Sequence, residues 1–177
     1  SEEDRIREEM EEILRRVERT VEEIKKELKK INDDVDRTAR ESEKHVREVL
    51  ERVEREGVDK DLLDELRKIV EENKRLAKRL KDELRKSTKK IEDDLKRLLD
   101  ELKRLVEEVD EALKRNISEE LLEKLLEDLK RVVEKIRRDA EDLLERHKDL
   151  VRRIKEELRR SNRKLEDLVK KISERAT

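Results

Sequence analysis

The chain has 177 residues, 59% of them charged and 32% hydrophobic, with a single Gly and no Phe, Tyr, Trp, Cys or Pro. Without Cys it can form neither disulfides nor thiolate metal sites, and it has no apolar run near the roughly 18 residues that span a membrane. Its 51 basic and 53 acidic residues nearly cancel to a net charge of −2, which gives no pull toward nucleic acid or an anionic membrane.

Charge-rich chains of low hydrophobicity are often disordered. Here the apolar residues are periodic, and a Glu/Lys/Arg/Leu/Asp composition with helical period points to long helices. In the first third of the chain, Met10, Leu28 and Val46 form one line, and Ile13, Ile31 and Val49 another. The middle third repeats the pattern in Leu62, Leu80, Leu98 and in Leu66, Leu84, Leu102, and the last third in Ile136, Ile154, Ile172. A spacing of 18 is five turns of a plain helix at about 3.6 residues per turn. Counting in sevens from Ile6 instead lands on the charged Glu27 and Asp34. The period predicts nearly straight helices, not a strongly supercoiled heptad coil.

Two places break the pattern, Glu56-Gly57-Val58-Asp59 and Arg115-Asn116-Ile117-Ser118. Gly57 and Asn116 are the residue types that end helices in the left-handed conformation. Asp59 and Ser118 are good N-caps for the helix after each break. Val58 and Ile117 precede the caps, with Leu63 and Leu122 placed to meet them as hydrophobic staples. The sequence thus predicts helix 1 over about residues 1–56, helix 2 over about 59–115 and helix 3 over about 118–177. Connections this short force antiparallel neighbours, so the expected fold is an all-α, up-down-up three-helix bundle forming a single unit over 1–177. Leu63, Val70, Ala77, Leu126 and Val133 widen the main stripe at its edges, as does Val21 with Leu14 and Leu144 with Val151; a widened single stripe suits a helix touching two neighbours.

Polar residues interrupt several apolar lines. Placing the helices antiparallel aligns helix 1 with helix 2 where residue numbers sum to about 116, helix 2 with helix 3 at about 233, and helix 3 with helix 1 at an offset of about 117. On that scale Ser42, Asn73, Ser161 and Asn162 share one level, with His45 beside them on a line through Glu9 and Glu27 that leaves it partly exposed. Asn32, Ser87, Thr88 and His147 share another. Each level draws on all three helices, which suggests two buried hydrogen-bond layers. Asn and His carry both donors and acceptors, and Ser and Thr hydroxyls rotate to suit. Such layers can select one register, because a slipped helix strands polar groups against Leu.

Catalytic readings find little support. His45 and His147 differ in level by about fifteen residues, roughly 22 Å of rise, too far to share a metal. No His-Glu-x-x-His or Glu-x-x-His pattern occurs, nor a Gly-rich phosphate loop or nucleophile elbow. The carboxylates sit on charged faces and not on the apolar lines, and the basic clusters Lys89-Lys90 and Arg152-Arg153 are interleaved with acids, as on solvated faces. The expectation is no enzyme activity, no cofactor, no metal, and neither nucleic acid nor membrane as partner. A buried neutral His147 adds an expected loss of stability below pH of about 6.

The thirds of equal length, the minimal Gly-Val-Asp and Asn-Ile-Ser connections, the Leu/Ile/Val stripes and the absence of aromatics resemble computationally designed single-chain three-helix bundles, and the polar levels resemble their buried hydrogen-bond networks. The resemblance covers the whole chain and implies a monomeric structural scaffold without an active site. The alternative it implies is an interaction component, a bundle or cage that receives a designed helical partner. Natural spectrin-like repeats are also long three-helix bundles, but they usually carry core Trp and irregular loops, which this chain lacks.

Overall fold

The structure, a computed structural model, describes residues 1–176. Its three helices are α1 (Glu2–Arg55), α2 (Lys60–Lys114) and α3 (Glu119–Ala176), packed against one another as an all-α three-helix bundle. Each begins one residue after its expected first position; Thr177, the expected end of helix 3, lies outside the described residues.

The ends are explained by the caps. Ser118 Oγ accepts from the backbone N–H of Leu121 at 3.3 Å, and Asp59 Oδ1 accepts from that of Asp61 at 3.4 Å. Both satisfy donors that a helix start leaves orphaned. Gly57 and Asn116 stand at φ 68° and 55°, the left-handed conformation expected of them. Acids fill the first turns (Glu2, Glu3 and Asp4; Asp61; Glu119 and Glu120) and bases the last (Arg52 and Arg55; Lys114; Arg175), in the sense that complements the helix dipole.

The described residues divide into two compact units, one of residues 1–29 with 88–146, the other of 30–87 with 147–176. All three helices contribute to both. In the second unit, side-chain pairs give the directions. Glu54 meets Arg67 and Glu43 meets Lys81, so α1 and α2 run antiparallel. Asn73 with Ser161 and Ser87 with His147 make α2 and α3 antiparallel, while Asn32 with His147 and Ser42 with Asn162 make α1 and α3 parallel.

Most of the eighteen-residue lines keep their burial; in the line of Leu62, Leu80 and Leu98 the last is half-buried. Met10, Leu28 and Val46 are all core, as are Leu66, Leu84, Leu102 and Ile136, Ile154, Ile172, whereas Ile13, Ile31 and Val49 are all half-buried. The second unit holds two apolar clusters. One gathers Val53, Leu66 and Leu165 with Val58 and Leu63 packed against it, the other Val35, Leu80 and Ile154. The first unit buries Ile6, Leu95, Leu102 and Leu126 most deeply. Val21, Val70, Ala77, Leu126, Leu144 and Val151, which the sequence places at the stripe edges, are fully buried, because each helix packs on two neighbours and the edge of one contact is the centre of the other. Leu63, Val133 and Leu14 are half-buried.

Candidate functional site: buried side-chain hydrogen bonds

His147 is the most enclosed polar residue, with 0% of its surface exposed. Its Nε2 lies 2.8 Å from Asn32 Oδ1 and its Nδ1 lies 2.9 Å from Ser87 Oγ. A carbonyl oxygen only accepts. Nε2 therefore carries the proton and donates to Asn32, leaving Nδ1 to accept from the Ser87 hydroxyl. Both nitrogens of a neutral imidazole are thereby satisfied, and one side chain of α3 is tied to α1 and to α2. Burial among apolar neighbours disfavours the charged ring and holds its pKa below the usual imidazole value. Asn32 and Ser87 are half-buried; Thr88, one residue further along α2, is half-buried as well.

The other level forms two pairs. Ser42 Oγ donates to Asn162 Oδ1 at 3.0 Å, and Asn73 Nδ2 donates to Ser161 Oγ at 2.6 Å. Ser42 and Asn73 are buried, Ser161 and Asn162 half-buried. Each pair crosses a helix interface with a donor meeting an acceptor, which offsets the desolvation that a lone buried amide would cost.

His45, expected beside this level and partly exposed, enters neither of its two pairs. Its side chain is 46% exposed, with Nε2 3.9 Å from Glu166 Oε1. The physical reason is its line through Glu9 and Glu27, which turns it to the charged face. At such exposure the contact is screened and contributes little.

The sequence also left ion pairs across helices unread, because its charged faces look merely solvated. Lys155 binds Asp34, Lys81 Nζ stands 3.1 Å from Glu43, and Arg7 stands 3.2 Å from Asp110. Lys155 and Arg37 together hold the Asp34 carboxyl below the usual range. The level alignment brings Arg7 abreast of Asp110, whereas Lys81 and Lys155 reach along the helix axis to their partners, so level alone does not reveal those two pairs.

Among the described residues, no group of three or more His, Asp or Glu side chains is placed to hold a metal ion, and no helix is long and apolar enough to cross a membrane. In the first unit a surface groove of about 400 Å³ runs between α1 and α3, floored by Val17, Val21, Ile136 and Ala140 and edged by Arg16 and Arg137. Leu121, at 45%, is an exposed large apolar residue. No protein-family model, curated protein or solved structure matches the chain.

Proposed function

We propose that the chain is a designed structural scaffold, whose three helices are held in one register by buried hydrogen bonds, and that it carries no catalytic activity. One observation carries this reading: His147, fully buried, donates to Asn32 and accepts from Ser87, so one α3 side chain is matched to both other helices at a single height. A slip of one helix turn, about 5.4 Å, would break both bonds and leave three polar side chains against Leu, Ile and Val. Apolar packing alone penalises that slip less, because the apolar stripes offer Leu, Ile or Val again at the next turn. Polar residues in a core are retained for specificity more than for stability.

The test replaces the polar set together, with Asn32, Asn73, His147 and Asn162 changed to Leu and Ser42, Ser87 and Ser161 to Ala. The variant is expected to stay helical and at least as stable in denaturant, but to give more than one set of amide resonances. A single sharp set matching the parent would contradict the proposal.

A second reading, an interaction component that accepts a helical partner, is favoured by the groove between α1 and α3 in the first unit. Light scattering separates the two readings. On dilute protein that has not been refolded, the scaffold gives the chain mass of 21.6 kDa, whereas a self-assembling component gives a multiple of it.

A further inference from the structure

The two turns perform the same reversal with different residues. Gly57 adopts φ 68° with no Cβ to resist it, whereas Asn116 adopts φ 55° with a full side chain. Asn tolerates the left-handed region better than most residues but still prefers the right-handed one. Around Asn116 the helix tightens before it ends. The Arg115 N–H is shared between the carbonyls of Glu111 and Ala112, each at 3.2 Å, and the Asn116 N–H reaches that of Leu113 at 3.4 Å. No Pro stands after it, and Asn is less unfavourable inside a helix than Gly. If Asn116 turned to right-handed values and Ile117 and Ser118 followed it, α2 would run on into α3 as one helix.

What α3 would lose by leaving is specific. Each of the four buried pairs includes an α3 residue: His147 with Asn32 and with Ser87, Ser161 with Asn73, and Asn162 with Ser42. The ion pairs Lys155–Asp34, Arg79–Glu157 and Arg5–Glu123 likewise join α3 to the other two helices. An α3 from elsewhere could replace these contacts only if it carried the same side chains at the same heights, and the segment that meets this requirement is the α3 of another copy of the chain.

We infer that the α2–α3 turn is the hinge of a helix exchange whose partner is a second copy of this chain. Each copy's α3 docks on the α1–α2 hairpin of the other and remakes every buried pair, while two strained Asn116 turns become helix. Such exchange needs no new interface. It is favoured by concentration and by refolding, when α3 has not yet committed to its own hairpin.

The experiment refolds the full chain from denaturant at rising protein concentration and measures mass by light scattering, for the parent, Asn116→Gly and Asn116→Ala. Gly relaxes the left-handed turn and weakens a continuous helix, while Ala does the reverse. Asn116→Gly is therefore expected to lower the dimer fraction and Asn116→Ala to raise it, with dimer dissociation constants differing by about tenfold or more, since each dimer contains two hinges. Both substitutions delete the same amide, so a dimer that used the Asn116 side chain as a surface contact would respond to both in the same direction. That result, or no dimer of Asn116→Ala at the highest soluble concentration, overturns the inference.

Discussion

Nε2 of His147 lies 2.8 Å from Oδ1 of Asn32, a contact between helices whose residues stand 115 apart in sequence. The acceptor can only accept, so the contact fixes the tautomer of the ring, and the Ser87 hydroxyl then completes it from the opposite side. The arrangement accommodates the neutral ring in full. A protonated ring would make Nδ1 a donor too, so the Ser87 hydroxyl would have to turn away, and an enclosed positive charge would appear with no carboxylate bonded to it.

The first expected outcome is a loss of stability on acidification. The folded pKa of His147 is held below its unfolded value by desolvation. The unfolded chain therefore binds the proton first. The contribution of His147 is constant above about pH 6.5 and falls as pH drops below it, until the folded ring also protonates. The depressed Asp34 carboxyl acts lower, its contribution being present above about pH 4 and lost beneath it. Urea melts of the parent and His147→Leu between pH 7 and 5 separate the two windows. The variant should flatten this range, and an unchanged slope would contradict the assignment.

The Asn73–Ser161 pair allows a double-mutant cycle. Ser161→Ala leaves the buried Asn73 amide without its acceptor and should cost about 1–3 kcal/mol. Asn73→Leu removes the amide, and Asn73→Leu with Ser161→Ala should recover most of the loss, because an apolar pair strands nothing. Equal costs for the double variant and for the sum of the singles would mean that the pair does not interact.

Gly57 is required for its backbone and not for space. At φ 68° a Cβ added there would meet nothing within 4 Å. Gly57→Ala should therefore cost about 1–2 kcal/mol, from the left-handed conformation alone. Thermal or chemical denaturation measures it, and a neutral result would show that the turn rearranges freely.

Core truncations should sort by burial. Leu66→Ala and Leu95→Ala, both at residues with no exposed surface, should each cost about 2–5 kcal/mol. Leu121→Ala, at an exposed position, should fall within about 0.5 kcal/mol of the parent. A large loss at Leu121 would indicate that an unrecognised contact covers it.

The fold was open to sequence reasoning because its determinants are periodic and local. Eighteen-residue spacing fixes the angular position of a side chain on a plain helix, and Gly57-Val58-Asp59 and Asn116-Ile117-Ser118 fix where the helices stop. The heights of Asn32, Ser87 and His147 are set by the turns. What heights do not give is which neighbours touch. Ser42, Asn73, Ser161 and Asn162 share a level yet bond as two pairs, because pairing depends on which interface each side chain enters. For His45 the sequence carries both coordinates: height places it beside that group, and its line through Glu9 and Glu27 turns it outward, where Glu166 stands. The stripe edges were legible as well. A widened stripe suits a helix with two neighbours, and Val70, Ala77 and Leu126 become interior where those neighbours close over them.

On the proposed reading His147 is the neutral, enclosed bridge on which the register depends, and nitrogen-15 NMR of its imidazole tests this directly. The expected spectrum at neutral pH has one tautomer, protonated at Nε2 and slow to exchange with solvent, with a midpoint below that of a free imidazole on titration. A ring averaging between tautomers and titrating at the ordinary value would contradict it, and with it the claim that this contact holds the three helices in register.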